Sequence, residues 1–511
     1  MGRKILFITT DQMRFDAIGA NGNTICRTPT IDGFAQSGIN FTRAHNQNVV
    51  CMPARATMVT GQYVSTHGVW MNGVALPVDA PSVAQLLHDA GYRTALIGKA
   101  HFEPFFDPEL KFYENRMARI GENGPHRGFE HMELATHTPL ILHYNEWLKQ
   151  VNPAGIDGFY RNLDDKFQVN AAGGGETGAV QVHPNPIPRE QYHTDWVADR
   201  TIDWLDGIGA EDDFFCWVSF PDPHHPWDPP ASEISRHPWR DVPLPDFYPG
   251  SKEKIEKILL DKPRHWHDWW SGKGVTNFEA PPQFRPCDMT EDQVREINAY
   301  THVENELIDE AIAKIWAHLE AKGIADETDV IFTTDHGEFQ GEFGLMFKGP
   351  CHVDALMRLP FIWKPAKTAN IDPAEVRAPV GQVDLAPTFL SIAGLDQPNF
   401  MQGEPLPHDQ AEAMAQNREQ VFTEWDNTHP NGTTLGLRSL YRADYVITQC
   451  LPGTLYDGSE GELYDLKNDP QQWENRWDDP AYKGLKRDLL DALKAAEPPK
   501  HAEKLECVAP V

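Results

Sequence analysis

No stretch of this 511-residue sequence reaches the ~18 consecutive apolar residues of a membrane span. The apolar stretch Ile5 to Ile8 near the amino terminus stops short of Asp11. It is too short for the core of a secretory signal, and Leu6 breaks the lipidation pattern that Gly2 begins. Cysteine is sparse: seven residues, at 26, 51, 216, 287, 351, 450 and 507, with no CxxC pair. That excludes a disulfide framework and a structural zinc site, and a reducing cytoplasm is the expected compartment. Basic residues are too few for a polyanionic partner. Lys and Arg number 45 against 75 Asp and Glu, a net charge of −30. Nucleic acid and anionic membrane are therefore excluded as main partners, while a small anion can still bind at a locally positive site. No internal repeat is visible.

What is present is an ordinary globular composition, 40% apolar and 23% charged, which excludes wholesale disorder. Lys4 to Thr10 reads as a buried strand of the parallel-sheet type. Ser82 to Ala90 reads as a helix with a serine cap, closed by Gly91, and Thr94 to Gly98 as a second strand. Phe214 to Phe220 and Asp329 to Thr334 are two more strands, separated by a long amphipathic helix from about Glu291 to Lys322. The alternation predicts an α/β protein with a large, mostly parallel sheet covered on both faces. Two excursions, near 103–195 and 226–290, interrupt it; the first holds the flexible Ala171-Ala172-Gly173-Gly174-Gly175 run. After a helix over Val383 to Ala393 the pattern changes near 400. Short strands (Val421 to Thr423, Tyr445 to Ile447, Glu462 to Tyr464) and a charged helix near 480–496 predict a smaller α+β domain over 401–511, following a catalytic domain over 1–400.

Ligands bind beyond the carboxyl ends of strands in such sheets, so the strand exits are informative. They carry Asp11-Gln12, then Lys99 and His101, then Pro221-Asp222-Pro223-His224-His225-Pro226, then Asp335-His336-Gly337-Glu338. Singly, Asp11 and Asp335 read as caps and the histidines and Lys99 as solvated loop residues. Together, carboxylates, a carboxamide and an imidazole make a hard divalent-metal site, with cations beside it for an anionic substrate. The strongest local signal is Cys51-Met52-Pro53-Ala54-Arg55-Ala56-Thr57-Met58-Val59-Thr60-Gly61. Pro53 places Cys51 at a helix amino terminus, as a low-pKa thiolate nucleophile or as a small buried hydrophobe.

That segment resembles the C-x-P-S-R…L-T-G signature of the sulfatase branch of the alkaline phosphatase superfamily, departing at Ala54 and Val59. The resemblance runs on through Thr28 to Asp32, Gly38 to Phe41, His67-Gly68, Gly91 to Thr94, Ile97-Gly98-Lys99, Pro223 to Pro226, Thr334 to Glu338 and Glu462 to Leu466 before Asp469-Pro470. It implies an alkaline phosphatase-like fold and a Cys51 oxidised to formylglycine by a modifying enzyme. The aldehyde hydrate is then the nucleophile, and its second hydroxyl lets the ester collapse. It further implies Asp11, Gln12, Asp335, His336 and modified residue 51 around one divalent ion, manganese ahead of calcium and magnesium. Arg55 would orient residue 51, Lys99 and Lys348 would hold the transferred group, and Asn72 would face the substrate. His224 would protonate the leaving oxygen, with His225 its alternative, and His101 would take the proton on breakdown.

Gln12 and His336 depart from the arylsulfatase pattern toward phosphonate monoester hydrolases, whereas Lys99 and His101 keep it. The expectation is a sulfatase of small sulfate monoesters, promiscuous toward phosphate and phosphonate esters; a phosphonate monoester hydrolase or phosphodiesterase is the alternative. A silent anion-binding scaffold is the reading outside enzymology, opposed by the retained Cys51 and Arg55. The run His265-Trp266-His267-Asp268-Trp269-Trp270 is expected to pack or meet another subunit rather than to grip substrate, and the chain is expected to form a homo-oligomer.

Overall fold

The structure, a computed structural model, describes residues 3–137, 141–159, 173–273, 280, 284–428, 432–501 and 503–509. Ala171 and Ala172 of the glycine-rich run, and parts of both excursions, lie outside the described residues. Eight strands form the main sheet: β1 (Lys4–Thr10), β2 (Ile39–Phe41), β3 (Arg93–Gly98), β4 (His131–Leu134), β5 (Phe214–Ser219), β6 (Thr328–Thr334), β7 (Ile362–Lys364) and β8 (Ala374–Val376). Their order is β8-β2-β7-β6-β1-β5-β3-β4. Every pairing is parallel except those of β7, which runs antiparallel to both β6 and β2.

Successive residues of β1 serve opposite faces of the sheet, which is why the strand is apolar throughout. Ile5 and Phe7 pack toward helices α2 (Val83–Asp89) and α5 (Leu385–Ala393), where the Phe7 ring lies 4.9 Å from those of Trp217 and Phe389. Leu6 and Ile8 pack toward α3 (His193–Asp206) and α4 (Glu291–Ala321). The long helix begins with a capping box. Thr290 Oγ1 accepts from the Gln293 amide at 3.2 Å and Gln293 Oε1 accepts from the Thr290 amide at 3.0 Å.

The carboxy-terminal part carries a four-stranded antiparallel meander, β9 (Gln420–Thr428), β10 (Thr434–Arg442), β11 (Tyr445–Cys450) and β12 (Gly461–Asp465). Helix α6 (Lys483–Ala496) covers one face through Leu489 and Leu493. The other face meets Trp266, Trp269 and Phe339. The aromatic run is therefore interior packing: Trp266 is fully buried and its indole N–H donates to Glu462 at 3.0 Å. Two expectations need correction. Ser82 precedes α2 but makes no capping bond, because its hydroxyl donates instead to the Arg127 carbonyl at 2.7 Å. The helix expected from Val383 starts with a 3₁₀ turn over Gln382–Asp384. Among the described residues no helix is long and apolar enough to cross a membrane.

Candidate active site

The four strand exits singled out in the sequence belong to β6, β1, β5 and β3, which are consecutive neighbours in the sheet. Parallel pairing puts all four exits on one edge. Helix α1 (Cys51–Thr60) brings its first residue to the same place. Asp11, Cys51, Asp335 and His336 are all buried, and one ligand atom from each lies within 4.8 Å of the others. Cys51 Sγ is 3.7 Å from Asp11 Oδ1 and 3.2 Å from His336 Nε2. His336 Nε2 is 3.6 Å from Asp11 Oδ1 and from Asp335 Oδ1. His336 Nδ1–H donates to the Gly337 carbonyl at 2.9 Å, which leaves the Nε2 lone pair facing the carboxylates. Two carboxylates with one imidazole so oriented fit a divalent cation of the harder kind.

Cations surround this cluster. Lys99 Nζ donates to Asp11 Oδ2, and Lys348 Nζ donates to Gln12 Oε1 at 2.8 Å. Arg55, fully buried, donates from Nε to Asp335 Oδ2 at 2.9 Å and from Nη1 to the Lys99 carbonyl and Ser219 Oγ at 2.6 and 2.8 Å. Burial alone would raise the Asp11 carboxyl, but Lys99, Arg55, His336 and Lys348 together hold it well below the usual carboxylate range. Cys51 is affected the other way. Burial first, then the Asp11 charge, push its thiol up to about 12, which opposes the low-pKa thiolate expected of a helix amino terminus.

The remaining residues are placed as follows. Gln12 takes a positive φ of 66° and commits its side chain to hydrogen bonds: besides Lys348, its amide donates to Glu338 and to His225 Nδ1, the latter at 2.9 Å. Asn72 Oδ1 accepts from the Met52 amide at 3.0 Å and so fixes the first turn of α1. His224 Nε2 accepts from Lys348 at 2.8 Å, and its Nδ1–H donates to the His225 carbonyl. His101 sits beyond β3 with φ 59° and a buried ring. Gly98 makes that exit: with φ 106°, a Cβ there would stand 1.8 Å from the Ser219 carbonyl oxygen.

Four residues at this edge escaped the sequence reading. His137 stacks on His224 with ring centroids 4.1 Å apart, and Asp11, His137 and His224 also bring ligand atoms within 4.8 Å of one another. It follows β4, whose exit obeys the same rule as the others but whose four residues are too short a run to recognise. Ser219 and Glu338 were within quoted segments without a role. Gln382, far along the chain, donates to the carbonyls of Thr334 and Asp335 at 2.8 and 2.7 Å.

The sulfatase family model matches residues 3–395, and that of the carboxy-terminal region of N-sulphoglucosamine sulphohydrolase matches 341–498. An arylsulfatase of Clostridium perfringens is 26% identical over 517 residues, spanning 97% of this chain and 95% of that protein. A multifunctional alkaline phosphatase superfamily protein of Trinickia caryophylli is 25% identical over 520 residues, spanning 95% and 93%. Among solved structures, the phosphonate monoester hydrolase of Agrobacterium radiobacter superposes with a TM-score of 0.77 at 21% identity, covering 96% of this chain and 95% of that one. That likeness gives the fold: the alkaline phosphatase-like arrangement of a large mixed sheet with a carboxy-terminal antiparallel sheet. The chain belongs to the sulfatase family and is a sulfuric ester hydrolase.

Proposed function

We propose that this protein hydrolyses small sulfate monoesters with one divalent metal ion and a formylglycine made from Cys51 by a modifying enzyme, and that it also accepts phosphate and phosphonate esters. The observation that carries this reading is the convergence of Asp11, Cys51, Asp335 and His336 on one point, flanked by Lys99 and Lys348. In this reading Asp11, Gln12, Asp335, His336 and residue 51 hold the ion, manganese ahead of calcium and magnesium. Bound there, the ion would lower the pKa of an oxygen nucleophile and polarise the ester. The aldehyde hydrate at 51 would supply that nucleophile.

The chain's own residues do the rest. Lys99 and Lys348 hold the non-bridging oxygens, where charge builds as the leaving group departs. Arg55 is locked by three partners, so its charge stays beside residue 51 without reorganising. His224 is the proton donor to the leaving oxygen once its Nε2, which here accepts from Lys348, has itself taken up a proton, with His225 behind it on Gln12. His101 takes a proton in the second half of the reaction. Asn72 borders the substrate from the start of α1. Homo-oligomer formation, a reducing cytoplasm in keeping with seven unpaired cysteines, and a domain boundary near 400 complete the proposal.

Two measurements test it: the mass of the peptide carrying residue 51, isolated from a host with the modifying enzyme, and kcat/KM for matched aryl sulfates and phosphonate monoesters. Formylglycine and a preference for the sulfate are expected; an unmodified, fully active Cys51 protein overturns the reading. Phosphonate monoester hydrolysis as the main activity is the second reading. It is favoured by Gln12 and His336 at the metal cluster, and a higher kcat/KM on the phosphonate would establish it.

A further inference from the structure

Neither ring nitrogen of His101 has a hydrogen-bond partner among the described residues, although both are buried. His101 borders a cavity of about 20 Å³ whose lining, mostly apolar, also includes Glu103, Glu114, Asn115 and Thr136. Glu114, on the short helix Tyr113–Met117 of the first excursion, presents the matching deficit: its Oε1 is buried and likewise without a partner. The rest of Glu114 is fixed. Its amide donates to Glu103 Oε2 at 2.9 Å, and its Oε2 accepts from the Glu103 amide at 3.4 Å. Glu103 is in turn held by Arg127 at 3.2 Å. An imidazole and a carboxyl left unpaired in the interior would each be costly. A void of this size has room for one water, and the unpaired groups of His101 and Glu114, set in an otherwise largely apolar lining, are the partners such a water would take.

We propose that Glu114 is a positioning residue for His101, acting through a single water held in this cavity. One ring nitrogen is then committed to the water and the other is left to face the reacting group. The ring is thereby oriented although no protein atom among the described residues bonds to it. Burial, then the neighbouring Glu103, raise the Glu114 carboxyl well above the usual range, so it can either donate to the water or accept from it. His101 can accordingly gain or lose a proton without losing its partner. The inference rests on the function proposed above only for what His101 does to substrate.

The test combines diffraction and kinetics on the full chain, as isolated and as Glu114→Gln and Glu114→Leu. An ordered water within hydrogen-bond distance of His101 and residue 114 is expected in the first two, and its loss with a displaced His101 ring in Glu114→Leu. By analogy with residues that orient a reacting group, kcat should drop ~10-fold or more in Glu114→Leu with KM changed less than ~3-fold, and Glu114→Gln should restore most of it. A dry cavity in the unaltered protein overturns the proposal, as does a Glu114→Leu protein with the His101 ring unmoved and kcat unchanged. Absence of sulfate ester hydrolysis in the unaltered enzyme would instead sink the functional reading. The diffraction result decides the role of Glu114 independently of it.

Discussion

Arg55 and Asp335 form a fully buried ion pair at 2.9 Å. Removing one partner strands the other charge in the interior, so Arg55→Ala should destabilise the protein by about 3–5 kcal/mol in urea denaturation, as well as ending turnover. Arg55→Lys should not rescue it, because an ammonium cannot reach Asp335, the Lys99 carbonyl and Ser219 together. His67 offers a test of electrostatics away from the site. Its Nδ1 accepts from the Val69 amide and its Nε2 is paired with Thr57 of α1, both at 3.1 Å. Burial, aided by His501, lowers its pKa from 6.5 to about 3. Below pH 6.5 the unfolded chain binds a proton that the folded ring refuses, so His67 makes stability fall as pH drops from about 6.5 toward about 3. The stability advantage of the unaltered protein over His67→Gln should therefore shrink between pH 7 and pH 5 in denaturant titrations; a constant difference would show a normally titrating ring. Residues such as Asp11 and Asp335 were legible because ionisable groups at strand ends are conspicuous. Gln382 was not, since a glutamine that ties down two carbonyls looks in sequence like any polar residue.

At the level of elements, strands and helices with a full apolar pattern declared themselves within a residue or two: β1, β3, β5, β6 and α4. The short strands β2, β4, β7 and β8 did not, because three or four residues hold too little periodicity to stand out. β10 was hidden by Arg438, which is buried within the strand and satisfied by Asp426 at 2.8 Å, a pairing that only the folded sheet supplies. Two substitutions separate an element's stability from its aim. Thr290→Ala removes the cap of α4 and should cost about 1 kcal/mol, read as a lower Tm with kcat unchanged. Gly98→Ala forces a side chain against the Ser219 carbonyl at a positive φ and should lower both Tm and kcat, because it moves the chain that delivers Lys99 and His101.

Over the whole molecule, a net charge of −30 coexists with a site where three cationic side chains crowd two carboxylates. The local field therefore opposes the global one, and bulk composition, which argues only about large polyanionic partners, gives no sign of this local gathering of cations. If the cluster binds an ion, dialysis against a chelator should abolish turnover and lower Tm. Readdition should restore both, with manganese most effective in a thermal-shift titration. Recovery of Tm without any added metal would count against that. Cys51 has 1% of its surface exposed, at the foot of a helix closed over by chain that includes Asp335 and His336. No second protein can grip its backbone there. If Cys51 is converted as proposed, the oxidising enzyme must reach the thiol on the nascent or unfolded polypeptide, before the later-synthesised strand β6 arrives, and yield of competent protein then becomes a race between maturation and collapse.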